Sequence, residues 1–308
     1  MPDVDMRVEL AGVTLKNPVC VASGTFGFGR EYGAFYDLGE LGAICAKGLT
    51  LHRREGNPGP RIAETPMGIL NSVGLQNPGV DAFVETELPF LRQYDVKVIA
   101  NISGNTPEEY GIMCEKLAQA GVDLIEVKIS CPNVKAGGLA YGTRPELAAE
   151  VTQVAKAHAG SVPVMVKLSP NVTDITEIAR AVEAAGTDAI SLINTLVGMK
   201  IDIQKKRPVL GNIVGGLSGP AVHPVAVRMV YQVAQAVKVP LIGMGGISCW
   251  QDAVEFILAG ATAVAVGTCS FTDPSLAETI SQGIQDYLDA SGAASLEELR
   301  GQALPGRN

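Results

Sequence analysis

The chain has 308 residues, 47% of them hydrophobic, and a formal net charge of -8 with no block rich in Lys or Arg. That balance supports an extensive core and argues against nucleic acid as the main partner, while leaving room for a local basic pocket that takes a small anion. No apolar run is long enough to cross a bilayer, and the opening MPDVDMRVEL lacks the basic and apolar regions of a signal peptide, so the expected compartment is the cytoplasm, with no membrane partner.

The 6 cysteines are scattered and include no C-x-x-C pair. They supply neither a disulfide framework nor a zinc or iron–sulfur ligand set, so no metal site is expected on this chain.

In chain order, RVELAGVTLKNPV predicts a small hairpin. Short apolar runs rich in Val, Ile and Ala follow at 19–24, 43–48, 97–104, 124–130, 162–170, 189–195, 239–246 and 263–268. Their apolarity is continuous rather than alternating, as expected of strands buried on both faces. Helix-length segments lie between them. Thr106-Pro107-Glu108-Glu109 predicts a capped start, with Tyr110, Met113, Cys114 and Leu117 on one face and Gly121 as the stop. Asp174 and Glu177 open a second helix, and Asp273-Pro274 a third. Eight strand–helix alternations predict an α/β protein, a (β/α)8 TIM barrel in one domain over 1–308, with the hairpin closing its bottom. The doubly wound open sheet is the competing arrangement. The long connections 49–78, 131–143 and 196–218 each follow a strand, which in a barrel puts them on the C-terminal face, where sites are built.

The strand tips carry polar groups. Lys47 ends the second strand, Asn101 and Lys128 lie in the third and fourth, Lys167 lies in the fifth, and Asn194 and Thr195 end the sixth. Any one lysine is ordinarily a snorkelling or ion-paired side chain. Several at equivalent ends of parallel strands point to an anionic ligand, because buried charge is costly without an opposite charge. GMGG (243–246) and VGT (266–268) end the last two strands; glycines there admit backbone N–H groups to an anion, although tight turns alone also explain them. A phosphate at that end and cations further round the rim fit one long cofactor of the shape and charge of FMN. Cys131 stands apart from the other cysteines because Pro132 halts its strand and the loop 131–143 carries three glycines, which makes the thiol a candidate general base on a segment able to close as a lid.

NSVGLQNPG, ISCPNV, VKLSPN, INT, GMGGI and AVGT, in this order, resemble class 1 dihydroorotate dehydrogenases over nearly the whole chain. The first motif looks more like the class 1B, NAD-linked catalytic subunit than the fumarate-linked class 1A form, and Cys131 separates the chain from class 2, whose base is Ser. The resemblance implies oxidation of dihydroorotate to orotate in pyrimidine biosynthesis, with FMN above the barrel. It implies FMN contacts from Ser23, Lys47, Gly48, Asn101, Lys167 and Ile193, and further ones from Gly219, Gly245, Gly246, Gly267 and Thr268. Orotate would meet Lys47, Asn194 and Thr195, together with the loop Asn71, Ser72, Val73, Gly74 and Leu75. Asn133 matches a further amide near the substrate, Cys131 is the base, and Lys167 would stabilise the negative charge of the reduced flavin.

One position departs from the pattern. Lys128 stands where the family usually has an Asn that touches both flavin and substrate. Period-two geometry puts it on the face shared by Glu126, so it is expected to point into the barrel, pairing with Glu126 or presenting an ammonium to either ligand. A related barrel acting on another dihydropyrimidine therefore stays open, as does a non-redox barrel that binds a phosphorylated metabolite. With no G-x-G-x-x-G after a strand, NAD is expected to be served by an electron-transfer subunit carrying FAD and a 2Fe-2S cluster, in a heterotetramer built on a homodimer.

Overall fold

The structure is a computed structural model that describes residues 4–129 and 138–306, with 138–140 as backbone only. It opens with an antiparallel hairpin, β1 (Val8–Leu10) and β2 (Val13–Leu15). Strands β3 (Val19–Val21) and β4 (Ala43–Cys45) follow, and then a second hairpin, β5 (Ile62–Thr65) and β6 (Gly68–Asn71). Next come β7 (Lys97–Ile102), β8 (Leu124–Lys128), β9 (Val164–Lys167) and β10 (Ala189–Leu192). An insertion contributes β11 (Leu196–Met199), β12 (Ile201–Asp202), β13 (Arg207–Pro208) and β14 (Val214–Ser218). Finally β15 (Leu241–Met244) and β16 (Ala263–Val266) complete the set.

Eight of these strands, in the order β3-β4-β7-β8-β9-β10-β15-β16, pair in parallel and close on themselves. Each coincides with one of the continuous apolar runs, and the fold is the expected (β/α)8 barrel. Side chains inside it form one cluster that includes Cys20, Ala43, Ile99, Leu124, Met165 and Ala263, and the hairpin residues Leu10 and Leu15 belong to that same cluster. Both leucines are almost wholly buried, so the hairpin stoppers one end of the barrel and leaves only the other for a ligand.

Local sequence explains the outer helices. Thr106 caps Pro107–Ala120 by accepting from the Glu109 amide at 3.4 Å, and Tyr110, Met113, Cys114 and Leu117 are buried against the barrel. The Glu109 carboxylate reaches back one residue further than a capping box predicts, to the Asn105 amide at 2.7 Å. Asp174 caps Ile175–Ala184 through the Thr176 amide at 2.9 Å. The last expected start is displaced. Asp273 accepts from the Ser275 amide at 3.1 Å and makes a turn, and the helix runs over Leu276–Ser291.

Two long connections are more ordered than the sequence suggested. β5 and β6 from 49–78 and β11 and β14 from 196–218 form one antiparallel sheet in the order β11-β14-β6-β5. These strands are short, half exposed and interrupted by Gly68, Gly198, Gly215 and Gly216. They therefore carry no continuous apolar run, and the glycines read as loop. Residues 131–137 of the third connection lie outside the described residues, and with them the expected base Cys131, the amide Asn133 and the first part of the expected lid, whose remainder is the short helix Gly138–Thr143.

Candidate active site

The C-terminal ends of the barrel strands surround a cleft open to solvent. Lys128 and Lys167 line one side, with Asn71, Ile193, Asn194 and Thr195 around them. Ser23, Gly245, Gly246, Gly267 and Thr268 line the other. The structure thus brings eleven of the expected residues to one cavity from seven different segments of the chain.

The glycine end is a built turn. Gly246 has φ +72°, and a Cβ there would lie 2.8 Å from both the Gly219 carbonyl oxygen and the His223 amide nitrogen. Only glycine fits without displacing backbone. His223 opens the helix His223–Ala236, with one ring nitrogen 3.2 Å from the Gly245 carbonyl and the other 3.0 Å from Glu255. Thr268 donates to the Ser218 hydroxyl at 2.8 Å. Ser218 lines the cleft as well; its signal in the sequence is the LSG preceding Pro220.

The amide-rich loop divides by role. Asn71 faces the cleft and donates to the Gly216 carbonyl at 3.3 Å. Ser72 is buried and accepts from Asn57 at 3.0 Å, so its hydroxyl is occupied within the loop. Gly74 and Leu75 adopt positive φ, and a Cβ on Gly74 would sit 2.6 Å from the Asn57 amide nitrogen. Val73, Gly74 and Leu75 are not among the lining residues of the cleft, and neither are Ser72, Lys47, Gly48, Asn101 and Gly219. Asn77, the second amide of NSVGLQNPG, is a turn residue: its oxygen accepts from Thr50 and Gly79 and its nitrogen donates to Thr50 and Leu75. Asn171 ties the loop after β9 to β11 through Thr195 and Val197.

Glu126 does not pair with Lys128. The carboxylate lies in the barrel interior, 1% exposed. It accepts from the Cys45 thiol at 3.1 Å, the Ser191 hydroxyl at 2.6 Å and the Asn101 amide. Lys128 is two residues further along the strand, roughly 6.6 Å at 3.3 Å per residue, and its register partner is Lys167. Strand periodicity fixes which face a side chain takes but not how deep its partners lie. Burial alone would push the Glu126 carboxyl up; the Lys167 charge and the three hydrogen bonds outweigh it, and the net shift is downward. Burial and the Glu126 charge raise Cys45 well above the ordinary thiol range, so it stays a donor. Lys47 is lowered by burial, with the charges of Lys128 and Arg61 adding to it. Among the described residues, no group of three or more His, Cys, Asp or Glu is placed to hold a metal ion, and no helix is long and apolar enough to cross a membrane.

A barrel whose open end presents lysines at one side of a cleft and a glycine-built turn at the other is the architecture of an enzyme acting on small anionic ligands. Comparison with known proteins narrows that class. Residues 5–288 match the dihydroorotate dehydrogenase family, and the chain belongs to it. It is 58% identical over 301 residues to the dihydroorotate dehydrogenase B (NAD(+)), catalytic subunit, of Alkaliphilus metalliredigens, covering 98% of this chain and 99% of that one. The protein of the same description from Geotalea daltonii is 57% identical over 302 residues, again covering 98% and 99%.

Proposed function

We propose that this chain oxidises dihydroorotate to orotate as the catalytic subunit of an NAD-linked, class 1B enzyme of pyrimidine biosynthesis. Family membership sets the reaction class. The observation that supports it within the fold is the pair Lys128 and Lys167, both lining the cleft at the closed barrel's open end.

The residues present fit FMN. The turn at Gly245 and Gly246, with Ser23, Gly267 and Thr268, offers backbone and hydroxyl donors for a phosphate. The Asn101 side-chain oxygen is buried without a partner and lies beside Gly48, where a Cβ would be 2.7 Å from it; an N–H from a planar ring would satisfy it. Gly219 and Ile193 flank the same turn. FMN, when bound, supplies the two-electron acceptor that the side chains lack.

The chain's own groups do the rest. Lys167 holds a positive charge where negative charge develops on reduction, and so favours the transition state as well as binding. Lys47, held below its ordinary value and without a carboxylate partner among the described residues, gains a counter-charge from the orotate carboxylate. Asn71, Asn194, Thr195 and Asn133 supply neutral donors and acceptors for the pyrimidine amides, with Lys128 replacing the donor half of the usual amide. The backbone from Ser72 to Leu75 shapes the loop that carries Asn71. Cys131 takes the proton from C5.

The electrons leave through a partner subunit carrying FAD and a 2Fe-2S cluster, and the assembly is a heterotetramer in the cytoplasm built on a homodimer. Exposed apolar side chains of the insertion, Met199 and Ile201 on its strands and the 81% exposed Ile203 in the turn after β12, suit a second copy. The test is direct. The purified chain should be yellow and should reduce an artificial dye with dihydroorotate, but not NAD. A colourless protein that fails to take up added FMN, or one that turns over no dihydroorotate, overturns the proposal.

A further inference from the structure

We infer that Glu126 is a positioning residue for the cofactor: a buried carboxylate beneath the cleft that sets the effective charge of Lys167 and the direction of the Asn101 amide. The inference rests on the proposed function, since it concerns how this chain holds FMN. It goes beyond that function because Glu126 neither lines the cleft nor meets a ligand.

Register places the carboxylate. Glu126 pairs with Asn101 on one side and Met165 on the other. Lys167, two residues beyond Met165, pairs with Lys128 and with Ser191. Glu126 therefore lies one inward layer below the two lysines. It is the only carboxylate among the buried polar residues described, and everything that touches it donates. Cys45, Ser191 and Asn101 come from three other strands, β4, β10 and β7. A carboxylate ringed by three neutral donors stays ionised, and its charge then acts on the nearest cation in the low-dielectric interior, Lys167.

The same ring fixes an amide. Asn101 has two ends, a donor and an acceptor. A carboxylate accepts only, so Asn101 must turn its nitrogen to Glu126, which leaves its oxygen toward Gly48. With a glutamine at 126 the constraint lapses, because a second amide can meet Asn101 in either sense. Glu126 thus dictates that the cofactor site presents an acceptor at Asn101 and a partly neutralised cation at Lys167. A partly neutralised cation stabilises an anionic reduced ring less than a free one does. Removing the carboxylate charge should favour the reduced cofactor, because the Lys167 ammonium, no longer drawn down toward Glu126, shifts toward the negative charge of the reduced ring.

The experiment is a double-substitution cycle on the full chain loaded with FMN, read by spectroelectrochemical titration. Glu126→Gln should raise the affinity for reduced over oxidised FMN about tenfold, an upward move in midpoint potential of about 30 mV for a two-electron couple. The same change made in a Lys167→Gln background should move the ratio less than twofold, because the effect runs through that lysine. Glu126→Asp, which keeps the charge, should restore most of the wild-type ratio. An unchanged ratio in Glu126→Gln, a shift of opposite sign, or an equal shift in both backgrounds overturns the inference. Should Glu126→Gln not fold, Ser191→Ala strips one donor from the buried carboxylate and so favours its neutral form. That variant should raise the ratio in the same direction as Glu126→Gln, by about threefold, and no change there is equally fatal. Wild-type protein that takes up no FMN removes the proposed function together with this inference; wild type that binds FMN beside unresponsive variants removes this inference alone.

Discussion

Lys128 and Lys167 are register partners on the parallel strands β8 and β9, and both face the cleft. Among the described residues neither forms an ion pair. Two cations held side by side repel unless an anion sits between or above them, so the site is built for a ligand that brings negative charge. The two lysines should nonetheless differ in weight. Lys167→Gln should lower kcat by about a hundredfold, the usual effect of removing one preorganised charge donor. Lys128→Asn restores the family's usual residue and should change orotate Kd by about tenfold or less, roughly the 1.4 kcal/mol of one modest hydrogen bond. Flavin absorbance shifts with orotate measure the second and stopped-flow reduction the first. Tight orotate binding in Lys128→Asn alone, with none in wild type, would show that the chain acts on a different substrate.

Lys47 carries a pH signature. Its value is lowered in the folded chain by burial and by its cationic neighbours, so between that lowered value and the ordinary 10.5 the unfolded chain binds more protons. Stability then rises with pH across that window, and the penalty is fully present below it. Lys47→Met should therefore be more stable than wild type at pH 7.5, with the difference shrinking toward pH 10.5. Denaturant unfolding of the ligand-free proteins at the two pH values measures this, and a difference independent of pH would remove the argument.

The glycine turn has its own test. Gly246→Ala places a methyl 2.8 Å from the Gly219 carbonyl and the His223 backbone at a φ of +72°, which costs about 1–3 kcal/mol in strain. FMN affinity should fall at least tenfold while dihydroorotate turnover by any protein still loaded stays within a few-fold. Equilibrium dialysis of FMN separates the two quantities.

Much of this was legible in the sequence, for reasons that also mark where legibility ends. Strands such as VMVK and AVAV are buried on both faces, so their apolarity is continuous and their barrel order follows. The inserted strands are wet on one face and broken by glycines, so they carry no comparable signal. Glu126 and Lys128 stand two apart on one strand and read as natural partners. Barrel closure decided otherwise, because Cys45, Asn101 and Ser191 come from strands far away in sequence. Asn71 and Asn77 look alike in NSVGLQNPG, yet one faces the cleft and the other closes a turn, and only tertiary placement separates them.

Cys131→Ser should keep FMN and orotate binding within about threefold and lose most turnover near neutral pH, since a hydroxyl is a far weaker base than a thiol with an unperturbed pKa of about 8.5. Dye-coupled assays from pH 6 to 9 measure it. Activity within a few-fold of wild type would take Cys131 out of the mechanism.

The sheet β11-β14-β6-β5 joins two insertions that are more than a hundred residues apart in the chain. β6 ends at Asn71 and β14 at Ser218, so one hydrogen-bonded ladder carries a residue from each side of the cleft. The lengths of the two insertions are consequently not free to drift separately. A graft that exchanges 49–78 with that of a differently built relative should misplace Ser218 as well as Asn71, whereas exchanging both segments together should transplant the substrate side as a single cassette.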